Sequence, residues 1–510
     1  MVITSSFFRL SENQVEFLGK TSLRLSELGC KKTVFVLRRI ESWVRTTEPY
    51  GQRLIREGNL SAGINWFCTQ PVWYRFLHSL KIKSAKDSLL FFQEGVRLSE
   101  SREKSLAPRA RGEAHRVLFL LTNSFPYTQS GYTIRSHNTL QALALVGIVP
   151  IAFTRIGYPA LVGKRISRAK VTVDGISYRQ LIPWAVSPNP QKRIHATAKM
   201  VLRELNGATP QAIVATTDFK NALVARDIAV DLGVPWIYEV RGELESTWAA
   251  RQELAGNIDA RKSELFSLLR RQEVAAMNAA DRVVVLSKVY KDRLVDRGIS
   301  EEKIEIIPNG VTEDDFLLFA EEAQALRQRY SIPNRPTIGT VTSVVGYEGL
   351  CLLVGAVAQI PEIHCVIVGD GDELERLREE ADRLEVANRI TFVGRVPVSE
   401  VNHWYSLLDL FVIPRLDVEV CRVVTPLKPL QAMAKGIPVV GSNLPALREI
   451  TGGLMRSFRP GDTADFANAI RLELDSPHSK EDLIQWAKSH TWRMNAKKYE
   501  TLINEISNPE

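Results

Sequence analysis

The spacing of apolar positions changes near residue 116. Before it, Leu, Val and Phe recur at helical intervals in NQVEFLGKTSLRLSELGCKKTVFVLRRIESWV and again in DSLLFFQEGVRLSE, which predicts helices through residues 1–105. REGNLSAGINWF sets small residues and an apolar stripe around a Gly-Asn turn, the pattern of a single helical hairpin. SREKSLAPRARGEAH is polar and basic and contains Pro and Gly, so residues 106–115 read as a linker. From Arg116 onward the apolar runs become short and continuous: RVLFLLT, VPIAFTR, QAIVAT, PWIYEV and DRVVVLS. Each is an expected strand, with helical stretches between them, the first from about Thr133 to Val146. Continuous rather than alternating apolar strands separated by helices predict a parallel sheet covered on both faces. KIEIIPNGV closes this half, and PTIGTVT, HCVIVGD, ITFVGRV, DLFVIPR and IPVVGSN repeat the pattern in a second. The amphipathic tail SKEDLIQWAKSHTWRMNAKKYETLINEI predicts terminal helices. The expected organisation is a helical extension (1–105), a linker (106–115), two α/β domains (116–308 and 309–475) and closing helices (476–510).

Composition agrees with more than one core. A chain of 510 residues is too long for a single domain, and 45% hydrophobic with 24% charged residues is ordinary for a globular protein. No apolar run reaches about 18 residues, so a membrane-spanning helix is not expected. The N-terminus MVITSSFFRLSENQ lacks the charged-then-apolar pattern of a secretory leader. Five cysteines without disulfide or metal spacing fit a reducing, cytoplasmic setting.

Charge changes the picture more. The net +8 lies entirely in residues 1–115, which hold 19 Lys and Arg against 11 Asp and Glu. A basic extension suits peripheral contact with an anionic membrane surface or an acidic protein partner; a solvated face without a partner is the other reading. Nucleic acid is disfavoured, because no recognition motif accompanies the charge.

Six motifs in order carry a family resemblance: NSFPYTQSGYTIRSHNTLQALALVG, YEVRGELESTWAARQE, IIPNGV, VGDGDELERLREE, FVGRVPVSEVNHWYSLLDLFVIP and LQAMAKGIPVV. The set resembles the retaining family-4 glycosyltransferases of the GT-B fold, from about Arg116 to Ile506. The resemblance implies two Rossmann-like domains facing across a cleft, with the last helix crossing back to the first domain. It also implies a nucleotide-diphosphate sugar as co-substrate, a UDP-sugar among the options, with no cofactor and no metal. The acceptor would be a hydroxyl on a glycan or lipid-linked molecule, handled at the inner face of the cell membrane, and a front-face reaction would retain configuration. Two rivals stay open: a catalytically weak or inactive homologue serving as scaffold or regulatory subunit, and a phosphorylase or epimerase of the same fold.

A sugar-nucleotide site must neutralise a diphosphate whose charge grows as the glycosidic bond breaks. Gly131 begins the first helix, whose N–H groups suit a phosphate or acceptor loop; a plain tight turn explains it too. Where relatives carry an Arg and a Lys five apart, this chain has Ser343 and Glu348, and an inward Glu348 would repel a phosphate. Positive charge stands instead at Arg415, Arg422 and Lys428, around VVTPLK, and these three are the expected diphosphate contacts, with a solvated surface position as the other reading of each. The family's two glutamates fall at Val423 and Gln431. Gln431 can still accept from a ribose hydroxyl, at a cost on the order of 1 kcal/mol in lost charge assistance. Valine cannot bond the sugar, which leaves that task to the main-chain N–H groups of Val424, Thr425 or Leu427; Pro426 and Pro429 have none. Asp370, Gly371 and Arg395 follow strands and read as base or cleft residues, or as turn and surface. Glu239 and Arg241 share one face at the carboxyl end of a strand, as cleft groups or as an ion pair. His137 reads as a surface or satisfied core histidine.

Overall fold

The computed structural model describes residues 49–100, 113–166 and 168–507. The helices expected before residue 49 and most of the linker lie outside these.

In the first α/β domain the strands are β1 (Glu113–Leu121), β2 (Val149–Thr154), β3 (Lys170–Val173), β4 (Ile176–Arg179), β5 (Pro210–Thr216), β6 (Trp236–Glu239), β7 (Arg282–Val285) and β8 (Ile304–Ile306). They form one sheet in the order β3-β4-β2-β1-β5-β6-β7-β8. Side chains of β1 alternate between two cores. Leu118 and Leu120 join one, and Val117, Phe119 and Leu121 join the other. Burial on both faces explains why residues 117–121 carry no polar positions. One pair departs from the expected parallel sheet: β3 and β4 form an antiparallel edge hairpin. It turns at Asp174 and Gly175, with φ of +45° and +80°, and two left-handed residues match the twist of a tight hairpin.

The second domain holds β9 (Thr337–Val341), β10 (His364–Val368), β11 (Ile390–Gly394), β12 (Leu410–Ile413), β13 (Val439–Ser442) and β14 (Arg456–Phe458). These are parallel, in the order β11-β10-β9-β12-β13-β14. The order reverses between β9 and β12, and their carboxyl ends open a crevice of the kind that binds ligands in open α/β sheets.

Several contacts fix the two domains together. The last helix, Trp492–Ser507, buries Trp492, Tyr499, Leu502 and Ile503 in the core of the first domain. Each such residue contributes roughly 1.5–3 kcal/mol of transfer free energy. Glu419 of the second domain pairs with Arg293 and Arg261 of the first. Glu449 accepts from the N–H groups of Lys288 and Val289, at the N-terminus of helix Lys288–Asp296, where a carboxylate is favoured.

The described part of the extension is helical. Helices Tyr50–Arg56 and Leu60–Thr69 form a hairpin around Gly58. A Cβ on Gly63 would lie 2.5 Å from the carbonyl of Gly51, so the crossing needs glycine. Ser61 donates twice to Glu264, at 2.5 and 2.7 Å, and Phe91 enters the first domain's core beside Phe219. The extension is therefore packed on the first domain rather than strung from it.

Candidate functional site

At the crevice between β9 and β12, Glu348 points inward, but not toward solvent. Its carboxylate accepts from Arg415 Nη2 at 2.9 Å and from Lys428 Nζ at 3.1 Å. Lys428 Nζ also donates to the hydroxyl of Thr342, and Arg415 Nη1 donates to the carbonyl of Val424 at 3.1 Å. Thr342 follows β9, Arg415 follows β12, and Lys428 opens helix Lys428–Ala434, so two chain segments converge on the carboxylate and a third holds Lys428. Burial by itself would push the Glu348 carboxyl up; Arg415 and then Lys428 hold it at about 2. Burial lowers Lys428 and outweighs the opposing pull of Glu348. Arg415 and Glu348 are 8% and 6% exposed, but the Lys428 side chain keeps 22%. The cluster carries a net positive charge with one cation at its surface.

The structure does not bring Arg422 there. Its guanidinium turns outward to Asp417, and the pair is 58% and 42% exposed. Val423 is buried in the hydrophobic core of the first domain, so the position expected near a sugar is an apolar contact between domains. Thr425 is buried, and its carbonyl accepts from Asn309 Nδ2 at 2.9 Å. Leu427 packs against the first domain's second core. The Gln431 amide donates to Asp315 Oδ1 at 3.3 Å, which leaves its carbonyl to accept. Asp315 also accepts from the N–H and hydroxyl of Thr312, at 2.8 and 2.9 Å.

Ser343, Asp370 and Arg395 are exposed at the carboxyl ends of β9, β10 and β11. Gly371 has a structural requirement: a Cβ there would lie 2.1 Å from the carbonyl of Val344. The loops after β9 and β10 therefore meet backbone to backbone. Gly131 is the opposite case. It is exposed, and a Cβ would meet no atom within 4 Å, so protein packing does not demand glycine at this position. The helix it opens is capped reciprocally by Ser130 and Thr133.

Glu239 and Arg241 do pair, at 2.6 Å, and Arg135 completes the group at 2.7 Å from the other carboxylate oxygen. Arg135 further donates to the carbonyls of Ile307 and Pro308, and Arg241 to the carbonyl of Tyr132 and the hydroxyl of Ser136. Burial opposes ionisation of Glu239, but Arg241 and Arg135 hold it at about 2. Glu239, Arg135 and Arg241 are all buried. His137 is buried between the Tyr178 hydroxyl at 2.7 Å and Asp174 at 3.1 Å, and burial lowers its pKa.

Sequence reading missed Arg135, Thr342, Asn309 and Asp315. Arg135 lies four residues after Gly131, one helical turn on, and Asn309 is the asparagine of IIPNGV; both signals were visible. A cavity of about 450 Å³ opens between helix Leu244–Leu254 and the segment carrying Glu348, with Ala250, Tyr347, Leu350, Leu416 and Val418 in its wall. Among the described residues, no three of His, Cys, Asp and Glu come together to hold a metal ion, and no helix is long and apolar enough to cross a membrane.

Residues 130–310 match a family model for a glycosyl transferase 4-like domain, and residues 335–475 match one for glycosyl transferases group 1. A GDP-mannose-dependent alpha-(1-6)-phosphatidylinositol monomannoside mannosyltransferase of Mycolicibacterium smegmatis is 30% identical over 206 residues, 38% of this chain and 51% of that protein. An alpha-monoglucosyldiacylglycerol synthase of Streptococcus pneumoniae is 24% identical over 262 residues, 50% of this chain and 56% of that protein. The chain thus spans about half the length of these relatives. A sucrose-phosphate synthase from Thermosynechococcus elongatus superposes with a TM-score of 0.61 at 20% identity, covering 76% of this chain and 98% of the other. The two-domain architecture is that of the GT-B fold.

Proposed function

Because this chain belongs to the family-4 glycosyltransferases of the GT-B fold, we propose that it moves a hexose from a nucleotide-diphosphate sugar to a hydroxyl acceptor in polysaccharide or glycolipid assembly. The observation that carries the proposal is the Glu348 cluster. The family resemblance implies a lysine where Glu348 stands. Here the sign is exchanged: the carboxylate occupies that position, and Arg415 and Lys428 bring two cations to it. Positive charge returns to the switch point of the second sheet by another route.

In this reading Lys428 is the group that meets the diphosphate, since its side chain is the part of the cluster open to solvent. Arg415 is a positioning residue. Its guanidinium is committed to Glu348 and Val424, and it holds the carboxylate that in turn orients Lys428. As the anomeric carbon–oxygen bond breaks, negative charge grows on the diphosphate, and a preorganised cation beside it lowers the barrier. The acceptor hydroxyl attacks from the face the diphosphate leaves, and its proton passes to the departing phosphate oxygen, so configuration is retained. No metal is assigned a part. The Gln431 carbonyl accepts from the ribose. Two relatives are named for lipids, a phosphatidylinositol monomannoside and a monoglucosyldiacylglycerol, and the largely apolar wall of the cavity suits the hydrocarbon part of such an acceptor. The enzyme works on the cytoplasmic face of a membrane.

The test is turnover of UDP-, GDP- and ADP-sugars with glycolipid and glycan acceptors, with and without a chelator, and with the product anomer read by NMR. Chelator-resistant transfer with retention is expected. No turnover with any donor would favour a non-catalytic role, and a strict requirement for inorganic phosphate would favour a phosphorylase.

A further inference from the structure

We propose that the helical extension seats the protein on an anionic lipid bilayer, through an apolar face made by Val72, Trp73, Phe76 and Leu80 and a basic rim made by Arg75, Lys83 and Lys86. The four apolar side chains are 72%, 64%, 80% and 82% exposed. On helix Val72–Leu77, Val72 and Trp73 stand four and three residues before Phe76, one helical turn away, and Leu80 follows in the first turn of helix Ser79–Glu100. Clustered exposed apolar side chains mark interaction surfaces, whereas single ones need no explanation.

The patch has a firm base. Tyr74 lies against His78 with ring centroids 4.5 Å apart, and Phe67 lies 5.3 Å from His78. Phe67 and His78 are 0% and 3% exposed. Residues that turn outward from such a base do so because the inner positions are already filled.

Charge selects the occupant. From Gly58 to Lys86 the sequence contains no Asp or Glu, while Arg75, Lys81, Lys83 and Lys86 are basic. Arg75, Lys83 and Lys86 are exposed, and Lys81 bonds Gln52 at 2.5 Å. Tryptophan and phenylalanine inserted at headgroup depth, with lysine and arginine beside them, is the composition of interfacial membrane binding. Each basic residue near an anionic leaflet adds about 1 kcal/mol. The extension lies outside the matched family models, so the surface belongs to this chain. It also bears on the site. Gly58 packs against Trp248 of helix Leu244–Leu254, and Ser246 and Ala250 of that helix line the apolar cavity. Seating the extension on a bilayer thus brings the membrane near the cavity assigned to a lipid-linked acceptor. That last step rests on the transferase reading; the docking itself does not.

The experiment is co-sedimentation of the full chain with phosphatidylcholine vesicles, with and without phosphatidylglycerol, at low and high salt. Binding to the anionic vesicles alone, weakened by salt, is expected. The double variant W73S/F76S should bind them at least about tenfold more weakly, and R75E/K83E/K86E should lose the anionic preference. Both should keep the wild-type unfolding midpoint and donor hydrolysis in solution. Failure of the wild type to bind, or equal binding by W73S/F76S, overturns the proposal. So does wild-type self-association that W73S/F76S abolishes without any vesicle binding, because the face would then join two copies of the chain. Vesicle binding without sugar transfer would leave the docking surface standing and remove only the transferase reading.

Discussion

Each α/β domain buries a glutamate between two cations near the ends of its strands: Glu239 between Arg135 and Arg241, and Glu348 between Arg415 and Lys428. The carboxyls are alike in titration, both held at about 2 by their cations against the cost of burial. They differ in what surrounds the cations. Arg135 and Arg241 are 2% and 3% exposed and reach backbone carbonyls of the interdomain segment and the first helix. That group is a strut joining β6, helix Gly131–Leu145 and residues 307–309. At Glu348 one of the two cations stays 22% exposed and faces the switch point. A perturbed carboxyl therefore does not tell a strut from a ligand site; an accessible cation beside it does.

Substitution at the strut has the largest expected effect. Glu239→Gln leaves two buried arginines without a counter-ion and should cost about 3–5 kcal/mol in chemical denaturation. Because the folded carboxyl sits at about 2 against an ordinary 4.5, its stabilisation is complete above 4.5 and is lost as pH falls toward 2. The acid limb of the stability curve should accordingly flatten in this variant. Glu348→Gln should cost less, about 2–3 kcal/mol, because Lys428 can relax into solvent. It should also change affinity for nucleoside diphosphates, measured by calorimetry, which Glu239→Gln at permissive temperature should not.

A smaller effect tests the Gln431–Asp315 contact. Gln431→Glu sets a second carboxyl beside Asp315, and its folded pKa should rise above the unfolded value. The variant should match the wild type at acid pH and lose about 1 kcal/mol as pH rises past the carboxylate range. Asp315→Asn in the same chain should restore the stability. Smallest of all, Arg422→Ala should change stability and nucleotide affinity by under about 0.5 kcal/mol, since exposed ion pairs contribute little.

The contrast also shows what the sequence could carry. Strands buried on both faces announce themselves as unbroken apolar runs, which is why β1, β10 and β12 were legible. The β3–β4 hairpin was not, because four-residue strands at an edge leave little pattern, although its Asp-Gly turn was a usable signal. Arg415 and Lys428 stood out because a motif surrounds them. The strut was legible only in part: Glu239 and Arg241 share a strand face, but Arg135 meets Glu239 across 104 residues and no local spacing reports that contact. Val423 reads as a lost ligand in sequence and as an apolar contact between domains in space.

We propose that Lys428, held by Glu348 and Arg415, meets the diphosphate in place of the basic pair that the family resemblance implies. Titrating UDP and GDP into wild type and Lys428→Met by calorimetry tests it most directly. An intact fold with binding weakened about 10- to 100-fold is the predicted result, the size of one charge-assisted contact. Unchanged affinity in Lys428→Met for a nucleotide that the wild type binds would contradict it.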